Sequence, residues 1–479
     1  MIRDNLTMLT DFYEITMANG FLEQGVGEKE AVFDMFFRNI PDGGGFAIMA
    51  GVAQLVDYLK NLKFTDNDIE YLRNKNLFSE KFLEYLRTFK FSCDVWALEE
   101  GTPMFPGEPI VTVKGPAIQA QFVETMVLVT INHQSLIATK SNRIARAAEG
   151  RTVAEFGSRR AQSYDAAILG ARAAYIGGAH GTACTISEQL FGIQTYGTMA
   201  HSWVQMFNDE YSAFKAYAET YPDSCLVLVD TYNVLKSGVP NAIKVAKEVL
   251  EPMGKRLKGI RLDSGDIAYL SKKARKMLDQ AGLKDCIIMA SNSLDEYIIR
   301  DLMLQNAKID AFGVGERLIT AKSSPVFGGV YKLVAVEENG ELAPRIKISE
   351  NIEKVTTPGF KSLYRFYDKD TNAALADLVT LHGETIDENA PYTIFHPVYN
   401  WKKTKLTNFY VKPLLKKIFD KGVCIYEEKS LDEIRDYCLK EVSTLWEEVL
   451  RFENPHTYYV DLSKDLWNLK SQLLDKYTY

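Results

Sequence analysis

Gly259–Ile260–Arg261–Leu262–Asp263–Ser264–Gly265–Asp266–Ile267 is the stretch on which the fold turns. Gly259 to Leu262 reads as a short strand. From there Ile267, Leu270, Ala274 and Leu278 fall at helical spacing. An arginine, a hydroxyl and two carboxylates thus crowd a strand's C-terminal end, facing a helix start. Free backbone N–H groups at such a junction bind anions, and carboxylates there hold metals. In isolation the Asp-Ser-Gly turn also reads as a plain helix cap. Its recurrence along the chain decides the matter.

From residue 154 to 333 strand-like runs end near Phe156, Gly177, Thr198, Asp230, Asp263, Asn292 and Gly315. Helical patterns lie between them, for example over 243–250 and 294–304. Each interval holds a strand, a helix and two loops. Repeated βα units predict a parallel sheet, and seven or eight of them a closed or nearly closed barrel. Chemistry in such barrels sits at the C-terminal strand ends. There the chain sets Arg159, His201, Asp230, Asp263, Asn292 and Gly315.

The flanking regions read differently. Prolines at 103, 106 and 109 around Ile110–Val113 suggest a β hairpin with edge prolines, and a long helical stretch follows from 118 towards 148. Short strands return at 363–367 and 375–379, and amphipathic helices follow Ser430. The expected division is an N-terminal mixed α/β domain over 1–150 and a barrel-like α/β catalytic domain over 151–335. The segment 336–479 then returns to the N-terminal part, so the two ends build one second domain.

Composition narrows the class. The chain has 479 residues, enough for two or three domains, with 46% hydrophobic and 25% charged residues. A net charge of −7 argues against general nucleic-acid binding. A polyanionic substrate then needs a local basic cluster. One candidate is 140–160, with Lys140, Arg143, Arg146, Arg151, Arg159 and Arg160, although a solvated helix face accounts for part of that run. The six cysteines are scattered without a CxxC pair, which speaks against zinc or a disulfide framework; Cys225 and Cys286 read as buried thiols. Neither a signal-peptide h-region nor a membrane-length apolar run is visible, so the expected compartment is the cytoplasm.

Three further strand ends carry chemistry. In Glu155–Phe156–Gly157–Ser158–Arg159–Arg160, a guanidinium fork grips phosphate or carboxylate and a phenyl face suits a flat heterocycle. In Thr198–Met199–Ala200–His201–Ser202–Trp203, one of only six histidines sits where it can act as a nucleophile or hold an anion. Gly313–Val314–Gly315 lets backbone amides close on a phosphate.

Together these segments resemble the nicotinate phosphoribosyltransferase family, and the match spans nearly the whole chain. It starts at Leu9–Thr10–Asp11–Phe12–Tyr13 and runs through Phe36–Phe37–Arg38, Gly43–Gly44–Gly45–Phe46, Glu100–Gly101–Thr102–Pro103 and Asn132–His133–Gln134–Ser135. It continues with the strand ends above, Val229–Asp230–Thr231–Tyr232, and Gly328–Gly329–Val330–Tyr331–Lys332–Leu333.

The resemblance implies the barrel-like (type II) phosphoribosyltransferase fold. It also implies transfer of phosphoribose from 5-phosphoribosyl 1-diphosphate to nicotinate, with ATP as co-substrate and Mg²⁺ as cofactor, the first step of salvage towards NAD. By that likeness His201 takes the γ-phosphate of ATP as a transient phosphohistidine. Tyr13, Phe156, Thr198 and Arg261 form the nicotinate site, Phe156 stacking one ring face and Tyr13 of the partner subunit the other. Arg261 meets the carboxylate, and Arg159 is a further anion contact. Asp230 and Asp263, with Ser264 beside them, hold ribose hydroxyls and Mg²⁺–diphosphate. Gly313, Gly315 and Thr320 cradle the 5-phosphate, and Arg38 reaches across a homodimer whose sites are shared.

Two departures matter. Glu316 stands where some relatives carry threonine, and its carboxylate cannot itself hold phosphate. Ala183 stands where nicotinamide-using relatives carry an aspartate, which favours the acid substrate over the amide. A nicotinamide phosphoribosyltransferase is therefore the nearest rival. A non-catalytic nucleotide-binding barrel would show damaged strand ends, whereas these are chemically competent.

Overall fold

The computed structural model describes residues 5–351, 354–399 and 401–478. The chain divides into two compact units, Ile137–Pro325, and Met1–Leu136 with Val326–Tyr479.

Six parallel strands form the sheet of the first unit, in the order Gly181–Thr182, Thr152–Glu155, Ala311–Val314, Ile287–Ser291, Gly259–Leu262 and Leu226–Leu228. The last strand in sequence returns to the first, with Ala311 beside Thr152 and Val314 beside Glu155. That is the ring order of a (β/α) barrel. Beyond Gly181–Thr182 the sheet continues only as a single bridge between Thr182 and Thr195. Among the described residues no ladder joins that edge to Leu226–Leu228. The barrel is the nearly closed kind, open along one seam.

Two expected strands are not strands. Residues 164–176 form the helix Tyr164–Ile176, capped by the Ser163 hydroxyl on the Ala166 N–H, and Gly177 merely ends it. The run is alanine-rich (Ala166, Ala167, Ala171, Ala173, Ala174), and alanine is the strongest helix former. Thr198 lies in an irregular segment beyond the Thr195 bridge.

Apolar packing makes the strand ends rigid. Val227, Leu228, Ile260, Leu262 and Ile288 pack against Val245, Leu250, Ala274 and Leu278 in one buried cluster. Each large side chain so buried contributes about 1.5–3 kcal/mol. Cys225 and Cys286 belong to the same cluster, and burial pushes both thiols up to about 12.

The 140–160 run is not a basic surface. Lys140 and Arg143 are buried on Glu296, with Lys140 Nζ 2.8 Å from Oε2 and Arg143 Nε 2.9 Å from Oε1. Burial lowers Arg146 to about 10. Only Arg159 and Arg160 of this run reach the cleft described below.

The second unit joins the two ends of the chain. Its seven-stranded antiparallel sheet pairs Asp94–Leu98 with Leu415–Asp420, Leu98 lying opposite Leu415. Val111–Pro116 pairs with Asp94–Leu98, whereas Pro103–Met104 pairs with Ala47–Ile48 instead of forming a continuous hairpin. The expected strands at 363–367 and 375–379 are the paired Lys361–Asp368 and Ala374–Leu381. The helix Leu431–Ser443 starts at a capping box of Ser430 and Glu433. No helix of the described residues is long and apolar enough to cross a membrane.

A buried polar cluster in this unit makes stability depend on pH. Arg365 and Asp377 are fully buried and paired twice, Nε to Oδ1 at 2.8 Å and Nη2 to Oδ2 at 2.6 Å. Glu108 is fully buried nearby and accepts the Phe105 N–H at 2.8 Å. Burial, and then the charge of Asp377, hold its carboxyl well above the usual range. A raised carboxyl favours the native state below the unfolded value of about 4.3, and that advantage is lost as pH rises towards the native value. Glu108→Gln keeps an acceptor for Phe105 without the ionisation. Its melting temperature relative to wild type should therefore climb between pH 6 and pH 9. A constant offset across those pH values would place the proton elsewhere.

Candidate active site

The C-terminal strand ends of the barrel unit open into a cleft of about 450 Å³. Phe156, Arg159, Thr198, His201, Arg261, Asp263, Gly313 and Gly315 of the expected set all line it, as do Ala183, Asn292 and Glu316.

Arg261 stands on the Gly259–Leu262 strand and is only 13% exposed. Its Nη1 donates to Thr198 Oγ1 at 2.8 Å, and its Nη2 lies 3.2 Å from Asp263 Oδ1. Nε is buried and has no hydrogen-bond partner. With the Met199 carbonyl also accepting from Nη1 at 3.4 Å, the guanidinium is held by three neighbours at the cleft wall, with N–H donors to spare for an acceptor.

Asp263 also accepts the Ser291 hydroxyl, and its backbone N–H donates to Asp230 Oδ2 at 3.1 Å. Ser264 Oγ donates to the same Asp230 oxygen at 2.5 Å. Asp230 and Ser264 do not line the cleft, but these bonds tie them to its wall. Asp230 Oδ1 is buried without a partner, which leaves an acceptor free for a cation or a hydroxyl.

Phe156 forms the aromatic wall, and the glycine at 313 makes room for it. A Cβ on Gly313 would come within 2.6 Å of the Phe156 ring, and one on Gly315 within 3.0 Å of the Phe156 carbonyl oxygen. Gly313 therefore serves the ring directly. The preceding residue, Glu155, is fully buried, accepting the Thr182 hydroxyl at 2.7 Å and the Gly157 N–H. Burial raises its carboxyl above the ordinary range.

His201 opens the short helix His201–Gln205 at the open seam. Its Nδ1 lies 3.1 Å from Thr231 Oγ1 on the far side of that seam. Nε2 makes no hydrogen bond among the described residues. One nitrogen is thus oriented and the other is available, the arrangement a nucleophilic imidazole needs.

The remaining expected residues fall elsewhere. The Thr320 hydroxyl donates to the Glu316 carbonyl at 2.7 Å and does not line the cleft. Tyr13 and Arg38 belong to the other unit, Tyr13 on the helix Phe12–Glu23 at 45% exposure. Sequence reasoning gave no role to Ser291, Thr231 or Lys322. Ser291 ends its strand and follows the same rule that exposed Asp263; Lys322 lies beyond a one-turn helix with no pattern around it.

A (β/α) barrel with a cationic, acid-lined cleft at its strand ends defines an enzyme of the phosphate-substrate barrel class. Comparison narrows this. Models described as the nicotinate phosphoribosyltransferase N-terminal domain, the nicotinate phosphoribosyltransferase (NAPRTase) family and its C-terminal domain match residues 8–132, 152–386 and 360–470. The nicotinate phosphoribosyltransferase of Bacillus subtilis is 46% identical over 471 residues, covering 98% of this chain and 95% of that protein. The chain belongs to the nicotinate phosphoribosyltransferase family. It is similar to the crystal structure of human nicotinic acid phosphoribosyltransferase, with a TM-score of 0.86 and 30% identity across 97% of this chain and 99% of that one. A nicotinate-nucleotide pyrophosphorylase from Pyrococcus furiosus, at 24% identity and a TM-score of 0.70, shares the fold over 93% of this chain and 97% of its own.

Proposed function

We propose that this enzyme condenses nicotinate with 5-phosphoribosyl 1-diphosphate, giving nicotinate mononucleotide and diphosphate, with ATP hydrolysis coupled through a phosphohistidine at His201. The observation that carries the reading is the Arg261 guanidinium, held by Thr198 and Asp263 in the wall of the cleft that Phe156 also lines. A flat anionic ring fits both features. The cleft has an alanine at 183, which offers an amide substrate no acceptor from its side chain. Nicotinate is thereby favoured over nicotinamide.

In this reading the pyridine nitrogen attacks C1 of the ribose, and the C1–O bond breaks with its electron pair leaving on diphosphate. No proton moves, so no general base is required. The residues act by position and charge. Arg261, oriented by Thr198 and Asp263, pins the carboxylate and so aims the ring nitrogen. Asp230 and Asp263 would hold Mg²⁺, which when bound supplies positive charge to the departing diphosphate. The free Asp230 Oδ1 suits that ion, which usually takes one or two carboxylates beside substrate oxygens. Gly315 leaves its backbone open to the 5-phosphate, with Arg159 as a further anion contact. His201 Nε2 attacks the γ-phosphorus of ATP, ADP departs, and water later releases phosphate from the N–P bond. We place this reaction in the cytoplasm.

The test is mononucleotide formation from each pyridine substrate, with and without ATP. Faster turnover of nicotinamide than of nicotinate would overturn the reading.

We further propose a two-fold dimer in which each subunit lends Tyr13 to its partner's pyridine site, and Arg38 a contact across the interface. The half-exposed Tyr13 ring supports an intermolecular role. Mixing inactive Tyr13→Ala with inactive Arg261→Ala subunits should then restore activity. Half of the randomly formed dimers are mixed, and each carries one intact site of two. The expected recovery is about a quarter of wild-type activity. No recovery after verified subunit exchange would return Tyr13 to its own subunit.

A further inference from the structure

One acid in the cleft has no place in the mechanism above. Glu316 follows Gly315 directly, and its carboxylate spans two cations that line the same cleft. Lys322 Nζ lies 2.8 Å from Oε1 and Arg160 Nε lies 3.8 Å from Oε2. The neighbouring Arg317 is occupied elsewhere, paired with Asp295, which caps the helix Glu296–Leu304. Lys322 and Arg160 are therefore the exposed positive charges that meet Glu316, and an acid of the protein itself holds both.

These contacts are weak enough to exchange. The side chains of Lys322, Arg160 and Glu316 are 58%, 61% and 45% exposed. Exposed ion pairs of this kind contribute little to stability. A phosphate dianion offers either cation more charge and more acceptor oxygens than one carboxylate. The same corner holds Gly315, which lines the cleft beside Glu316.

We propose that Glu316 is a built-in competitor for the phosphate corner: its carboxylate occupies Lys322 and Arg160 until a phosphate bound also at other points displaces it. The proposal rests on the phosphoribosyltransferase reading for the identity of the substrate. A singly anchored anion must displace Glu316 with no further contacts to compensate. A phosphoribosyl substrate, anchored also through its ribose and diphosphate, meets the same competitor with those contacts in hand. Glu316 thus weakens every phosphate at this corner by a common factor, which a ligand anchored elsewhere can make up and free inorganic phosphate cannot, and it reclaims the two cations once the product leaves. The corner is self-guarded.

The experiment is a double-mutant cycle on direct binding of inorganic phosphate to the purified protein, read by titration calorimetry. Glu316→Gln keeps the shape of the side chain and removes its charge. It should tighten phosphate binding roughly two- to fivefold, the range expected for release from exposed pairs. In a Lys322→Met background the same substitution should gain less, because one of the two captive cations is gone. The Michaelis constant for phosphoribosyl diphosphate should fall in Glu316→Gln by a similar factor. Unchanged or weaker phosphate binding in Glu316→Gln would overturn the proposal. An equal gain in the Lys322→Met background would also overturn it, since a general field effect needs no particular partner. Because the readout is binding without turnover, its failure leaves the proposed reaction intact. Conversely, a wild-type protein that forms no mononucleotide would sink the reaction and leave the anion competition standing.

Discussion

His201→Ala should abolish the acid-labile, base-stable label that γ-labelled ATP leaves on the wild-type protein, and with it every ATP stimulation of mononucleotide formation. Slow transfer without ATP should survive. The two outcomes differ because the proposed mechanism gives the histidine to energy coupling and leaves the bond change at C1 to other groups. The geometry motivates this division. Nδ1 is engaged by Thr231 at 3.1 Å, so the ring is oriented before any nucleotide arrives. Nε2 is left to attack, and neutral imidazole is a competent nucleophile near pH 7. Thr231→Val should show the same loss in milder form, since the ring stays but its aim is released. Undiminished ATP stimulation in His201→Ala would remove the assignment. A mutant dead with and without ATP would make His201 part of the transfer step itself.

Arg261→Ala should raise the Michaelis constant for nicotinate and erase the preference for nicotinate over nicotinamide. A charge-assisted contact to a carboxylate is worth ~1.5–3 kcal/mol, or about ten- to a hundredfold in discrimination. The substitution also frees Thr198 and Asp263, which share the guanidinium, so the turnover number should drop as well. The ratio between the two substrates isolates the carboxylate contact from that disturbance. Arg261→Lys keeps a charge but loses the fork, and should recover part of the binding and little of the selectivity. Selectivity that survives Arg261→Ala would mean another cation reads the carboxylate, Arg159 being a candidate in the same cleft.

Much of this cleft could be read in the chain because its signals are local. A strand, a short polar turn and a helix start follow one another at Arg261–Asp266, and the same succession marks Phe156, Asp230 and Gly315. Parallel pairing then brings those ends to one side without any long-range knowledge. What failed was non-local. Lys140 and Arg143 look basic in sequence, yet Glu296, far along the chain, buries both. The 164–176 run looks like a strand because Ile168, Leu169 and Tyr175 weigh on the eye, whereas its alanines decide for helix. The place of the open seam depends on which edges find partners, and no window of residues encodes that. Glu316 was noticed as a departure, but its captive lysine lay beyond any pattern.

The open seam has a consequence for how two chemistries share one barrel. Elsewhere the wall is laced by backbone ladders, but between Thr195 and Leu226 no described ladder runs. Side chains stitch it instead, through His201 with Thr231 and Arg261 with Thr198. A wall held by side-chain stitches yields before one held by a ladder. The two stitches end on the groups assigned to the energy-yielding and the substrate-holding steps. In the proposed mechanism the phosphoryl group sits on Nε2, the ring nitrogen that Thr231 does not engage, and Arg261 leans on the segment that carries Thr198. Under the proposed roles of His201 and Arg261, both chemistries meet on one short segment, Thr198 to His201, that no backbone ladder holds among the described residues.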